Sequence, residues 1–139
     1  YDPMNHEHMV RTRAAKVAGI AKDIPEIVVD GPSSGKLLVL GWGSTLGAIR
    51  SAVEEMRAQG HTVSRAHVRH LNPFPKNLGD VLGRFERVLV PEMNLGQLAF
   101  ILRGTYQANI VSFTKVQGKP FSIHELVKKM TDTLEGRAS

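Results

Sequence analysis

From residue 26 onward the apolar positions of this 139-residue chain switch repeatedly between two periods. Lys36–Gly41 and Arg87–Pro91 are short, nearly continuous apolar runs, the pattern of strands covered on both faces. Thr62–Arg69 and Asn109–Phe113 supply two further strands, and Ile27–Asp30 a short one ahead of them. Between these runs the apolar residues recur at helical spacing. Leu46, Ile49, Val53 and Met56 form one stripe, with Ser44 placed to cap it and Gly60 at its C-terminal end. A short helix from about Leu78 turns Val81, Leu82 and Phe85 inward. Asn94 is placed to cap a helix carrying Leu95, Leu98, Ala99 and Leu102.

The last helix carries the strongest local signature. Ser122 and Glu125 have the Ser-x-x-Glu spacing of a capping box, and Phe121 with Leu126 have that of a hydrophobic staple. Ile123, Leu126, Val127, Met130 and Leu134 then define one apolar face. At the other end, residues 1–25 read as an entry segment with one helix, capped at Asn5 and closed by Pro25. Its face of Val10, Ala14, Val17 and Ala21 is too small to be stable without a larger body beside it. The division is an interdomain linker, 1–25, and an α/β domain, 26–139.

Strands separated by helices imply right-handed parallel crossovers. The turn Gly31-Pro32-Ser33-Ser34-Gly35 is too short for a crossover, so the strand before it opposes the strand after it. The expected fold is a three-layer α/β/α domain with a five-stranded, mostly parallel sheet and one antiparallel strand.

Composition narrows the chemistry. There is no cysteine, which removes disulfides and thiolate-held iron–sulfur clusters from this segment. No apolar run approaches the length of a membrane helix, and no secretory signal opens the chain. A start at Tyr1 suggests a segment of a longer polypeptide, and the absence of cysteine fits the cytoplasm. The net charge of +5 raises the question of nucleic acid, but the Lys and Arg residues are scattered and eight aromatics make no stacking platform.

Gly41-Trp42-Gly43-Ser44-Thr45-Leu46-Gly47 joins a strand to a helix, where backbone N–H groups favour an anion. A dinucleotide fingerprint wants two residues between its second and third glycines; here there are three. No Gly-Lys-Ser/Thr follows either. The turn therefore reads first as backbone geometry, with an anion site as the alternative. His6 and His8, and likewise His67 and His70, have the wrong spacing to share a metal. His70 to Pro75 and Glu92-Met93-Asn94 both follow strands, where ligands and partners gather. Glu92 stands beside a helix N-terminus and is placed to accept its N–H bonds. The candidate anion- or interface-binding residues are thus Gly41, Gly43, Ser44, Thr45, His70, Asn72, Glu92, Asn94 and Gln97. No nucleophile–base pair, carboxylate pair or metal set can be assembled.

Five blocks, in order, carry a family resemblance. Leu37–Thr45, Arg69–Pro75, Val88–Gln97 and Val116–Phe121 resemble successive blocks of the C-terminal domain of 2-oxoacid:ferredoxin oxidoreductase α subunits. Asn5–Met9, with Arg13 and Lys16, resembles the linker after the thiamine-binding domain in that family. The 2-oxoglutarate type is the most similar. The resemblance implies a transketolase C-terminal-like fold with strand order 1-3-2-4-5, the first strand antiparallel. It implies a parent complex that uses thiamine diphosphate, magnesium, CoA and an iron–sulfur cluster. The implied partners are the thiamine-binding domain of the same subunit, a β subunit, and ferredoxin through the complex. The chain has no Gly-Asp-Gly thiamine-diphosphate motif, so the resemblance carries over no catalytic residue. A packing role in a soluble complex, without membrane or nucleic acid, is what it leaves for this segment.

Overall fold

A computed structural model describes residues 23–93, 95–115 and 118–136. The expected helix in residues 1–25 lies almost wholly outside them. Among these residues four strands form one sheet: β1 (Gly35–Trp42), β2 (Ser64–Val68), β3 (Phe85–Glu92) and β4 (Ile110–Thr114). All pair in parallel, in the order β2-β1-β3-β4. Helices α1 (Leu46–Ala58), α2 (Leu78–Gly83), α3 (Gln97–Thr105) and α4 (Ile123–Leu134) follow the strands in turn.

The β1 register decides which helix each residue meets. Leu38 and Leu40 face one way, with Val88, Val90 and Ile110, onto Leu78 and Leu82 of α2 and Leu98 and Leu102 of α3. Leu37 and Val39 face the other way, with Leu89 and Val111, onto Ile49, Val53 and Met56 of α1 and Leu126 and Met130 of α4. Alternation along a strand with a period of two thus builds two cores from one apolar run. The result is the expected three-layer α/β/α arrangement.

The expected fifth strand is a correction. Ile27–Asp30 is no strand: a single antiparallel bridge joins Asp30 to Arg65. That bridge has both of its hydrogen bonds, Asp30 N–H to the Arg65 carbonyl at 2.8 Å and Arg65 N–H to the Asp30 carbonyl at 3.0 Å. The segment lies beside β2 with the expected direction, but its pairing stops there. The physical reason is a competing partner for its backbone. Ile27 N–H donates to Asn77 Oδ1 at 2.9 Å, and Asn77 Nδ2 donates to the Ile27 carbonyl at 3.0 Å. One side-chain amide supplies both bonds that a neighbouring strand would offer. Replacing Asn77 with Ala is expected to cost about 1–2 kcal/mol in urea denaturation, because both groups lose partners in a half-buried place. Amide exchange at Ile27 should accelerate more than exchange in β1.

Two expected caps are also corrected. Ser44 does not cap α1: residues Gly43–Thr45 form a 3-10 turn, and Thr45 is the N-cap, without a side-chain bond to the helix. The expected cap Asn94 lies outside the described residues, and α3 begins only at Gln97, with Gly96 at φ 78° as its N-cap. Gly96 takes a left-handed conformation that a residue with a Cβ resists. Leu95 therefore precedes the helix and is 83% exposed. The α4 capping box forms as expected, with Ser122 Oγ accepting from Glu125 N–H at 3.0 Å and Glu125 Oε1 accepting from Ser122 N–H at 3.1 Å.

Candidate functional site

The strand order reverses between β1 and β3, so their carboxyl ends open a crevice, the usual ligand position in doubly wound sheets. Six of the candidate residues, Gly41, Gly43, Ser44, Thr45, Glu92 and Gln97, lie at or just beyond these two strand ends. Asn94 belongs to the same connection but lies outside the described residues. His70 and Asn72 follow β2 and stand apart, both exposed; Asn72 precedes a cis peptide bond to Pro73.

Glu92 organises the crevice. It is fully buried, and its two oxygens take three N–H donors. Oε1 accepts from Leu98 N–H at 2.8 Å and from Trp42 Nε1–H at 3.2 Å; Oε2 accepts from Ala99 N–H at 3.1 Å. The carboxylate therefore sits on the first turn of α3, where free N–H groups and the helix dipole stabilise negative charge. It supplies internally the anion that this terminus attracts. The indole bond also ties the end of β1 to the end of β3.

The β1 turn is built for close packing. A Cβ on Gly41 would stand 2.5 Å from Ile49 Cδ1 and 3.0 Å from Thr45 Oγ1. Only a glycine lets α1 lie this near the strand. Thr45 Oγ1 donates to the Trp42 carbonyl at 2.9 Å, which spends the hydroxyl on the turn itself. Ser44 and Gly43 remain exposed. Ser44, Thr45, Met93 and Phe121 border a shallow hollow of about 220 Å³, and a second of about 160 Å³ adjoins it against Trp42. Among the described residues that line them, neither hollow holds a nucleophile with a base beside it. Among the described residues no group of three or more His, Cys, Asp or Glu is placed to hold a metal ion, and no helix is long and apolar enough to cross a membrane.

The floor of this region is held by Lys115, whose Nζ lies 2.6 Å from Glu125 Oε1 and 3.2 Å from the Pro120 carbonyl. The Lys115 bond, then the Ser122 N–H, hold the Glu125 carboxyl below the ordinary carboxylate range. A depressed folded-state pKa means that the stabilisation is complete above the ordinary value and is lost as pH falls through the folded value. Thermal midpoints are therefore expected to fall in acid, and Glu125→Gln should flatten the part of that slope which this carboxyl contributes.

Two features escaped the residue-level reading. Trp42 is one; indole N–H groups need partners when half-buried, but no spacing announced that Glu92 would be it. The other is the outer face of α3. Phe100 is 78% and Ile101 47% exposed, beside Leu95 at 83%. The run Leu98-Ala99-Phe100-Ile101-Leu102 carried the signal, because five consecutive apolar residues on a helix cannot all face one core.

Fold and site together define a doubly wound α/β module of the transketolase-like kind. A split-gene transketolase shares that fold at a TM-score of 0.59 over 78% of this chain and 41% of its own, at 16% identity. The chain belongs to the pyruvate:ferredoxin oxidoreductase core domain II family, whose model matches residues 35–126. It is 47% identical, over 99% of its length, to 2-oxoglutarate oxidoreductase subunit KorA of Mycobacterium tuberculosis, of which it spans 21%. It is 35% identical, over 98% of its length, to the α subunit of 2-oxoacid:ferredoxin oxidoreductase 2 of Aeropyrum pernix, of which it spans 23%. A 2-oxoglutarate:ferredoxin oxidoreductase from Magnetococcus marinus, solved with 2-oxoglutarate, coenzyme A and succinyl-CoA bound, superposes at a TM-score of 0.85 and 28% identity, covering 96% of this chain and 24% of that one. The resemblance to 2-oxoacid:ferredoxin oxidoreductase α subunits read from the sequence therefore holds.

Proposed function

We propose that residues 26–139 are the C-terminal domain, and residues 1–25 its linker, in the α subunit of a thiamine-diphosphate-dependent 2-oxoacid:ferredoxin oxidoreductase of the 2-oxoglutarate type. On this reading the domain is non-catalytic and works by packing. The observation that carries it is the outer face of α3, where Phe100 and Ile101 stand in solvent on a helix whose inner face is already spent on the core, with Leu95 exposed on the turn that leads into it. A contiguous exposed apolar face marks an interaction surface. Its proposed occupants are the thiamine-binding domain of the same subunit and the neighbouring β subunit, with ferredoxin reached through the complex. The reading carries a cytoplasmic setting and assigns no nucleic-acid partner.

The residues present do not fit the parent's reactive groups. Thiamine diphosphate with magnesium needs carboxylate and amide ligands around a phosphate cradle, whereas the buried carboxylate Glu92 is fully engaged by backbone and indole N–H groups. An iron–sulfur cluster needs thiolates, and the chain has none. These groups, and the CoA site, are assigned to other parts of the parent. A cofactor enzyme depends on such rigid supports to hold the reacting atoms in place. The purified chain should therefore show no 2-oxoacid oxidation when given thiamine diphosphate, magnesium, CoA and an electron acceptor. Turnover by the chain alone would overturn the reading.

A second reading, a small-anion site at Gly41–Thr45 and Asn94–Gln97, is favoured by the exposed Gly43–Ser44 backbone beside the Met93 hollow. Against it stands Glu92, which already occupies the α3 amides. A thermal-shift screen of phosphates and 2-oxo acids separates the two readings: a rise in midpoint that Ser44→Pro abolishes would favour the anion site.

A further inference from the structure

The edge of the sheet holds a groove that the packing role does not use. It lies where residues 27–28 part from β2, and its volume is about 300 Å³. Ile27 and Val28 form one wall; Arg65, His67, Arg69 and His70 form the other. Arg65 and His67 stand on one face of β2, roughly 7 Å apart, and Arg69 follows just beyond the strand end, so three basic residues line this wall in a row.

The charges in this row are unevenly neutralised. Asp30 serves the lower end, 2.6 Å from Arg65 Nη2 and 3.3 Å from Arg57 Nη1. Glu26, the other acid at the rim, lies 3.8 Å from Lys76 Nζ. Among the described residues no carboxylate lies within ion-pair distance of His67, Arg69 or His70. His67 Nδ1 is buried without a hydrogen-bond partner among the described residues. Burial first, and then the fields of Arg69 and Arg65, hold the imidazole below its ordinary pKa. The upper end of the groove thus gathers Arg69 and two imidazoles, while Asp30 and Glu26, the acids that also line it, lie against Arg65, Arg57 and Lys76.

We propose that this groove binds a small polyanion of the phosphate class, with the Arg69 guanidinium as its principal contact and the His67 and His70 imidazoles as flanking donors. A planar guanidinium meets two phosphate oxygens at once, and imidazole N–H groups reach a third. The facing wall is apolar, formed by the buried Ile27 and the exposed Val28. The inference is independent of the docking role of α3, which lies on another helix.

The test is calorimetric titration of the 139-residue chain with inorganic pyrophosphate, with histidine resonances followed by NMR. Saturable binding is expected, with the His67 titration moving upward as opposite charge arrives. Arg69→Gln, a change at an exposed residue, should weaken binding about tenfold or more, with His70→Gln as the second variant, whereas Lys36→Gln at the opposite end of the sheet should not. Adenosine monophosphate, run in parallel, distinguishes a phosphate carried on a larger molecule, which would bind more tightly, from free phosphate. Citrate binding as strongly as pyrophosphate at equal ionic strength, unchanged binding in both Arg69→Gln and His70→Gln, or no saturation by about 10 mM would overturn the assignment.

Discussion

Glu92→Ala should destabilise the domain by about 3–5 kcal/mol, near the upper end of single-residue effects. Three N–H donors lose their acceptor together, those of Leu98, Ala99 and Trp42. Each unsatisfied buried donor costs about 1–3 kcal/mol before relaxation, and the helix dipole loses its counter-charge as well. Glu92→Gln should cost less, about 1–2 kcal/mol, because the amide oxygen keeps one acceptor position while the amide nitrogen confronts one N–H. Urea denaturation measures both. The spectroscopic signature is the Trp42 emission, which should shift in Glu92→Ala as the indole loses its anchor. An Ala variant within about 1 kcal/mol of the parent would show that Glu92 is a passenger of the turn.

Phe100→Asp is expected to separate folding from assembly. Phe100 is 78% exposed, so the isolated domain should keep its stability within about 0.5 kcal/mol. In the intact α subunit the same change puts a carboxylate into a proposed apolar contact. Association there should weaken by about 2 kcal/mol or more, roughly 30-fold, the size of an anchor residue in an interface. Leu95→Asp should act in the same direction, and Phe100→Leu should largely restore assembly. Sedimentation of the subunit complex, set beside denaturation of the isolated domain, reads both halves of the prediction.

The sequence carried the sheet well because its strands are buried on both faces. Leu37–Leu40 has no polar residue to interrupt it, and a run that short between turn residues has few other uses in a domain of this size. Ser122 and Glu125 were equally legible, because a capping box is local chemistry and needs no tertiary partner. Elsewhere distant partners decided. Ile27–Asp30 has strand composition, yet Asn77, fifty residues away, supplies the backbone bonds at Ile27. The α3 start was read two residues early, since Gly96 sets the entry and Glu92 reaches back over the turn to cap it. Neither relation has a spacing rule. The candidate residues around Gly41–Thr45 and Glu92–Gln97 were legible as positions, because strand ends next to a switch in strand order are fixed by topology. Their employment was not: Thr45 and Glu92 turn their polar atoms onto the fold itself.

The most direct test of the packing role is an equilibrium titration of this chain into an α subunit that lacks the corresponding segment. The account predicts saturable one-to-one association that protects the amides of α3 from exchange. A flat titration up to about 100 µM, or association that leaves the Leu95–Ile101 surface as exposed as before, would contradict it.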